Sequence, residues 1–285
     1  MRKLLSLFII SSVGCWLCAG TSSCSDRKGE VSDTIAADTL SNDTASCDST
    51  DDIIADTPMP KAADELFDDF IFNFAANRKL QTARIDFPLP IYRNGKLEKK
   101  IGKKDWKMEH FFMHQGYYTL IFDSRAQMDI VKDTTITNVT VEKIFFDIKT
   151  VQQFAFKRKE GRWQMVSISY IPTHQSNNAG FLKFYSQFAT DSLFQIESMD
   201  EEVKFSAPDP DDDFSTMTGW MMPEQWPDFK PGLIPSGIIY NIIYGQKYQE
   251  TTRKVFVVRG VSNGLEIEMV FRRRDGKWVL TEFSS

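Results

Sequence analysis

The sequence predicts an α+β fold that occurs twice, in two successive parts of the chain. Each part begins with aromatic residues at helical spacing and continues with strand-like runs. Each part also ends on a turn that is followed by a tryptophan, Gly161-Arg162-Trp163 and Gly276-Lys277-Trp278. The helical pattern itself repeats after 114 positions: Phe67, Phe70, Phe74 and Gln81 return as Phe181, Phe184, Phe188 and Gln195. Agreement at both ends of the two parts predicts a tandem duplication.

Residues 1–24 have the features of an export signal. Arg2 and Lys3 precede an apolar run that ends near Ala19, and small residues lead from there to Cys24. The segment resembles a bacterial lipoprotein signal, which implies that Cys24 receives a diacylglycerol and becomes the first mature residue. Cys15 is the alternative acceptor, and an uncleaved anchor is the alternative to cleavage. The expected location is the bacterial cell envelope, with a lipid anchor at the periplasmic face or at the cell surface.

Residues 25–60 have the composition of a disordered linker. They contain no aromatic residue and are rich in Asp, Ser and Thr, so they offer little apolar surface to offset the entropy of ordering. An Asp-Thr or Asp-Ser unit recurs every five residues and resembles the O-glycosylation motif of Bacteroidetes. The acceptors that this resemblance implies are Thr34, Thr39, Thr44 and Ser49. The alternative is a solvated acidic linker whose period is accidental.

The remainder, residues 61–285, is electrically neutral, with 30 basic and 30 acidic residues. A neutral body lacks the basic surface that nucleic-acid binding requires. It also contains no cysteine, which excludes a disulfide framework or a cysteine-based zinc site there.

Residues 61–172 and 173–285 form the two predicted repeats. In each, a long helix is expected first, with Asp64 as the cap of the first helix. The boundary is expected in the Pro, Ser and Asn-rich stretch between residues 172 and 179. Glu160-Gly161, Asp275-Gly276 and Asn263-Gly264 predict tight hairpin turns. Strands are predicted at Tyr117–Asp123, Val139–Ile148, Gln152–Arg158 and Trp163–Tyr170, and at Ile238–Tyr244, Lys254–Arg259, Leu265–Arg272 and Trp278–Phe283.

This order of elements, with its final Gly-Lys/Arg-Trp hairpin, resembles the NTF2-like fold. The whole chain resembles a family of uncharacterised Bacteroidetes lipoproteins that carry two NTF2-like domains in tandem. The resemblance implies two cone-shaped domains, each with a long N-terminal helix packed in a curved antiparallel sheet that encloses a pocket. Since NTF2-like relatives include isomerases, dehydratases and non-catalytic binders, the fold does not choose a function.

The candidate pocket residues are polar and aromatic side chains: His110, His114, Trp106, Tyr118, Trp220, Trp226, Tyr240 and Tyr244. Two histidines at i and i+4 can face one metal ion, but Glu109 precedes His110 instead of following it, as the zinc-protease motif would require. No metal site is therefore predicted, and His110 or His114 remains a candidate proton carrier. The apolar segment around Trp220 and Trp226 fits a pocket lid, a partner-contact surface or a core plug.

The chain lacks the nucleophile elbow, the phosphate loop and the dinucleotide-binding fingerprint. We therefore predict a non-enzymatic envelope lipoprotein that needs no cofactor and binds a small apolar ligand or a partner protein. One alternative is a cavity enzyme of the isomerase or dehydratase kind that transfers protons through His110 or His114. A third reading is a structural spacer held above the membrane.

Overall fold

The computed structural model describes residues 61–209, 212–246 and 251–285. The predicted signal peptide, the linker, Cys24 and the four predicted glycosylation sites lie outside these residues. All described residues belong to one compact unit.

The α-helices of the described residues are short. They are α1 (Phe67–Ala76), α2 (Arg78–Arg84), α3 (Ala179–Phe188), α4 (Ser192–Glu197) and α5 (Trp226–Phe229). Short 3-10 segments add Lys61–Asp64, Lys103–Asp105, Phe111–His114, Arg125–Lys132, Thr173–Gln175 and Pro223–Gln225. Within the parts that the structure describes, no helix has the length and apolar character needed to cross a membrane.

Strands make up most of the described chain. They are β1 (Leu89–Arg93), β2 (Lys96–Ile101), β3 (Tyr117–Phe122), β4 (Asn138–Phe145), β5 (Thr150–Lys159), β6 (Arg162–Pro172), β7 (Met199–Asp209), β8 (Asp212–Met221), β9 (Ile238–Ile243), β10 (Arg253–Gly260), β11 (Glu266–Arg274) and β12 (Lys277–Ser284). The eight predicted strands are confirmed, and β1, β2, β7 and β8 are additional.

These strands form one large sheet in the order β2-β1-β6-β5-β4-β9-β3-β10-β11-β12-β7-β8. Neighbours pair antiparallel except β1 with β6, β7 with β12 and β3 with β9, which pair parallel. The strands of residues 61–172 and of residues 173–285 therefore occupy opposite ends of the sheet, with two exceptions at its centre.

The third strands of the two halves have exchanged places. β9 of the second half pairs with β4 of the first, and β3 of the first half pairs with β10 of the second. The direct contact between the exchanged strands is a parallel pairing of Thr119 with Asn241. Each end of the sheet thus contains one strand from the other half of the sequence.

Two hydrophobic cores form, one on each face of the central strands. Leu120 and Phe122 of β3 belong to the core around α1, whereas Ile121 belongs to the core around α3. Because alternate side chains of a strand point to opposite faces, the two cores lie on opposite sides of the sheet. The predicted helical stripes are largely buried: Phe70, Ile71 and Phe74 in the first core, Tyr185 and Phe188 in the second.

Each half contains the same arrangement of one glutamine and one tryptophan. The Gln81 amide donates to the Phe74 carbonyl at 2.9 Å, and its oxygen accepts from the Trp106 indole at 3.1 Å. In the second half Gln195 donates to the Phe188 carbonyl at 2.7 Å and accepts from Trp226 at 2.9 Å. Each pair of bonds gives one carbonyl in the last turn of a helix, Phe74 of α1 or Phe188 of α3, a partner. The same bonds also fix the segment that carries the tryptophan.

Asp64 does not cap the first helix, contrary to prediction. The N-cap of α1 is Leu66, and Asp64 instead pairs with Arg84 and accepts from the Trp163 backbone N–H. A single long helix is not found either, because Asn77 has an extended backbone and caps α2 through the Leu80 N–H. The chain therefore bends after α1 and again at Asp191, which caps α4 in the same way.

The predicted turns adopt the backbone that their sequences favour. Glu160-Gly161 and Asp275-Gly276 have positive φ at both residues, as the tightest hairpin turns require. Gly264 also has a positive φ, in the turn between β10 and β11. These turns set the β5–β6, β10–β11 and β11–β12 hairpins.

Candidate functional site

The interior of the first half is filled by aromatic side chains. Phe74 and Phe156 lie 5.4 Å apart in an edge-on contact, and both are buried. Trp163 closes the same cluster against Phe67 at 5.0 Å. The space between helix and sheet is thus occupied at these residues by core side chains.

A partly buried carboxyl lies at one side of this aromatic core. Asp68 of α1 accepts hydrogen bonds from the hydroxyls of Tyr244 and, at 3.5 Å, Tyr118. Burial raises the pKa of Asp68, although the hydrogen bond from Tyr244 works in the opposite direction. Burial and the nearby Asp68 charge also raise the pKa values of both tyrosines. The two hydroxyls therefore remain protonated donors, and the trio ties α1 to β3 and to the residue that follows β9.

A second polar group lies beside a surface cleft of about 390 Å³, which we name the histidine cleft. The rings of His110 and His114 line it with centroids 4.6 Å apart. Glu109 Oε1 accepts from the Tyr240 hydroxyl at 3.0 Å and from Lys143 Nζ at 3.3 Å. Burial, followed by the Glu109 charge, raises the pKa of Tyr240.

The histidine cleft offers two neighbouring imidazoles beside a carboxylate that Tyr240 and Lys143 already hold. Within the described residues, no group of three or more His, Cys, Asp or Glu side chains is placed to hold a metal ion. Because imidazole nitrogens donate and accept hydrogen bonds, His110 and His114 can contact a polar ligand in this cleft.

A third feature, which we name the apolar cleft, lies along α3 and encloses about 360 Å³. The 3-10 turn after β6, the turn after β4 and helix α3 form its walls. Its lining includes Phe146, Leu182, Ser186, Lys149, His174 and Lys183. All the charged or titratable side chains that line it are basic, and among the described residues no acidic side chain does so.

Residues 46–285 match the family model of a domain of unknown function, DUF4348. The chain belongs to the DUF4348 family. This DUF4348 chain is similar to an NTF2-like protein from Bacteroides fragilis NCTC 9343 of known crystal structure. The two are 40% identical over 80% of this chain and 98% of the other, with a TM-score of 0.72. No curated protein matches the chain.

The likeness to an NTF2-like protein confirms the predicted α+β class and the NTF2-like resemblance. In this DUF4348 protein the predicted pocket residues are distributed among several places. His110, His114 and Tyr240 line the histidine cleft, whereas Tyr118 and Tyr244 hold Asp68.

The three predicted tryptophans have unequal environments. Trp106 and Trp226 each donate to a core glutamine, and Trp226 is only 1% exposed. Trp226 is thus a core plug, which was one of the three alternatives for its segment. Trp220 of β8 is 65% exposed and lines neither the histidine cleft nor the apolar cleft.

Sequence reasoning did not find the apolar cleft of this DUF4348 protein. Its lysines stand on different elements, Lys149 in the turn after β4 and Lys183 in α3, and His174 lies in the stretch interpreted as a linker. No local pattern joins these residues, because they come together only where α3, the turn after β4 and the 3-10 turn Thr173–Gln175 meet. The apolar spacing of Leu182 within α3 was the one available signal.

Proposed function

We propose that this DUF4348 protein is a non-enzymatic envelope lipoprotein that binds a small apolar ligand carrying an acidic group. The observation that carries the proposal is the apolar cleft, whose lining combines Phe146 and Leu182 with two lysines and a histidine. Apolar walls with a few placed polar groups are typical of ligand sites, and about 360 Å³ falls within their usual size. An acidic group on the ligand would complement Lys149 and Lys183.

The anchoring and modification of the chain are part of this proposal. A diacylglycerol on Cys24 would tether the body to a membrane surface, with residues 25–60 as a spacer glycosylated at Thr34, Thr39, Thr44 and Ser49. Mass spectrometry of the N-terminal peptides tests both modifications. An unmodified Cys24 in protein purified from its bacterial envelope would refute the anchor.

We further propose that the body arose by tandem duplication of one NTF2-like unit. The equivalent bonds of Gln81 and Gln195 support this, as do the equivalent contacts of Trp163 with Phe67 and of Trp278 with Phe181. The exchange of β3 and β9 fits an origin in which two swapped copies became one chain.

A native mass spectrum, compared with a denatured one, tests ligand binding. The chain is purified from a bacterial host, and the expected result is extra mass that is present only under native conditions. Ser186→Phe is expected to reduce it, because a phenyl ring on α3 would fill the apolar cleft. Extra mass that Ser186→Phe leaves unchanged would place the ligand elsewhere, and a co-purified polypeptide would favour the partner-protein alternative.

A second candidate is proton-transfer catalysis in the histidine cleft, which the 4.6 Å contact of His110 with His114 favours. Its test is the double variant His110→Gln and His114→Gln, complementing a deletion strain. Arg162→Gln, at an exposed position of β6 outside both clefts, is the control. A double variant that complements like wild type in every assayed phenotype would exclude the catalytic role.

A further inference from the structure

The first half of the sequence contains a groove that one of its own side chains fills. Arg84, the last residue of α2, pairs with Asp64 at 2.8 Å and donates to the Trp163 carbonyl at 3.1 Å. Its guanidinium also lies over the Phe70 ring, 5.8 Å from the centroid. A cation over an aromatic face, with a carboxylate and a carbonyl as acceptors, is a complete guanidinium site. The Arg84 side chain is correspondingly only 15% exposed.

The corresponding groove of the second half lacks this arginine. Counting 114 residues on, Ser198 stands in the place of Arg84, Phe184 in that of Phe70 and Asn178 in that of Asp64. The side chain of Ser198 is too short to reach across the groove. A cavity of about 420 Å³ is found here, lined by Phe184, Trp278 and Ser198.

Aromatic surface and one carboxylate face this cavity. Phe184 and Trp278 are partly exposed, whereas their counterparts Phe70 and Trp163 are 0% and 1% exposed. Glu197, which precedes Ser198, also lines the cavity and provides an acidic group although Asn178 has replaced the aspartate. The second half thus retains the aromatic face and an acceptor for a cation.

We propose that this second groove binds a ligand bearing a guanidinium group, which takes the position that Arg84 takes in the first half. The guanidinium would lie over Phe184 and pair with Glu197. Lys183 and Lys277 line the same cavity and repel a simple cation, but they would pair with a carboxylate. The charges therefore favour arginine with a free carboxylate, either as the amino acid or at the end of a peptide. This site lies apart from His110. It shares Gly180 and Lys183 with the apolar cleft, but Phe184 and Glu197, which would hold the guanidinium, are not part of that cleft's lining. The proposal therefore does not depend on the function proposed for the apolar cleft.

Calorimetric titration of the full chain with N-acetyl-arginine and with its neutral isostere N-acetyl-citrulline tests the charge requirement. We expect N-acetyl-arginine to bind at least about tenfold more tightly, since citrulline lacks the cation. A peptide with an internal arginine and blocked ends tests the source, and it should bind more weakly than N-acetyl-arginine because it has no carboxylate for the lysines.

The decisive variant is Ser198→Arg, which copies Arg84 into the second groove. It should lower the affinity for N-acetyl-arginine at least about tenfold, because its own guanidinium would occupy the site. Glu197→Gln, at an exposed position, should weaken binding several-fold without affecting the core. Ser186→Phe, in the apolar cleft, is the matched control and should leave this affinity unchanged.

Three results would overturn the proposal. They are no binding of N-acetyl-arginine at millimolar concentration, equal binding of arginine and citrulline, and an unchanged affinity in a folded Ser198→Arg protein. If Ser198→Arg does not fold, as judged by circular dichroism, the Glu197→Gln titration decides in its place.

Discussion

At the scale of single residues, the most unusual group is the Glu142 carboxyl at the centre of the sheet. Glu142 is 1% exposed and accepts from the Gln153 amide at 3.0 Å and from the Asn241 amide at 3.1 Å. Burial raises its pKa, although both hydrogen bonds work in the opposite direction. Both of these hydrogen bonds come from neutral amide groups.

The raised pKa of Glu142 predicts a pH-dependent stability. The folded state keeps this proton to a higher pH than the unfolded chain, so stability falls as pH rises above the ordinary value of 4.5. Glu142→Gln removes the charge, and a rotated Asn241 amide would give its otherwise unpartnered oxygen a donor. We expect the variant to be about 1–3 kcal/mol more stable than wild type at pH 8, with the difference shrinking toward pH 5.

Urea denaturation at several pH values measures this difference. Glu202→Gln, at an exposed position of β7, is the control and should not change the pH profile in this way. A Glu142→Gln protein that is less stable than wild type at every pH would contradict this account of the buried carboxyl.

At the scale of elements, the two glutamines connect the helix ends to the loops that follow. We expect Gln195→Met to lower the free energy of unfolding by about 1–3 kcal/mol, because it leaves the Phe188 carbonyl and the Trp226 indole without their partner. Denaturation curves of this variant and of Gln175→Met, at an exposed position, provide the measurement. Equal losses in the two variants would show that the buried bonds contribute nothing specific.

The sequence predicts an element well when the pattern that specifies it lies within the element's own residues. The strands with clear apolar patterns and glycine turns, such as β5 and β6, were predicted within a few residues. β2 reads Lys-Leu-Glu-Lys-Lys-Ile, and β7 has three acidic residues directly after Met199, so β2 and the first part of β7 lack a clear apolar alternation. Both owe their structure to pairing with neighbours. The break at Asn77 could have been predicted, since asparagine is a good helix cap.

The clefts were less predictable than the strands. His110 and His114 were chosen because they are four residues apart in sequence, and they do lie in contact. The second groove is open because Ser198 lacks the guanidinium that Arg84 carries in the first half. The importance of this replacement is clear only once the contacts of Arg84 are known. The sequence repeat identifies Ser198 as the counterpart of Arg84, whereas the contacts that Arg84 makes are visible only in the structure.

At the scale of the whole molecule, the central feature is the exchange of β3 and β9. No local pattern predicts it, because β3 has the same residue types whether it pairs with β4 or with β10. β3 pairs with β10 over six residue positions, and β9 pairs with β4 over six. Each core therefore depends on a strand that comes from the other half of the sequence.

The exchange predicts that the halves fold only together. Residues 61–172 and 173–285, each expressed alone, should be largely unfolded or should associate with themselves. Mixed or co-expressed, they should form a 1:1 complex with the circular dichroism of the intact chain. Two stable monomers with sharp, independent unfolding transitions would contradict the exchanged arrangement.

The proposed function is a property of the same whole molecule, since the apolar cleft combines the turn after β4 of one half with α3 of the other. Its ligand chemistry is tested most directly by calorimetric titration of the chain with decanoate, below its micelle concentration, and with decyltrimethylammonium. The account predicts that decanoate binds and that the cationic analogue binds at least about tenfold more weakly. Ser186→Phe should abolish decanoate binding, whereas Gln187→Phe, on the groove side of α3, should preserve it. Equal affinity for the two amphiphiles, or a decanoate affinity that Ser186→Phe leaves unchanged, would contradict the account.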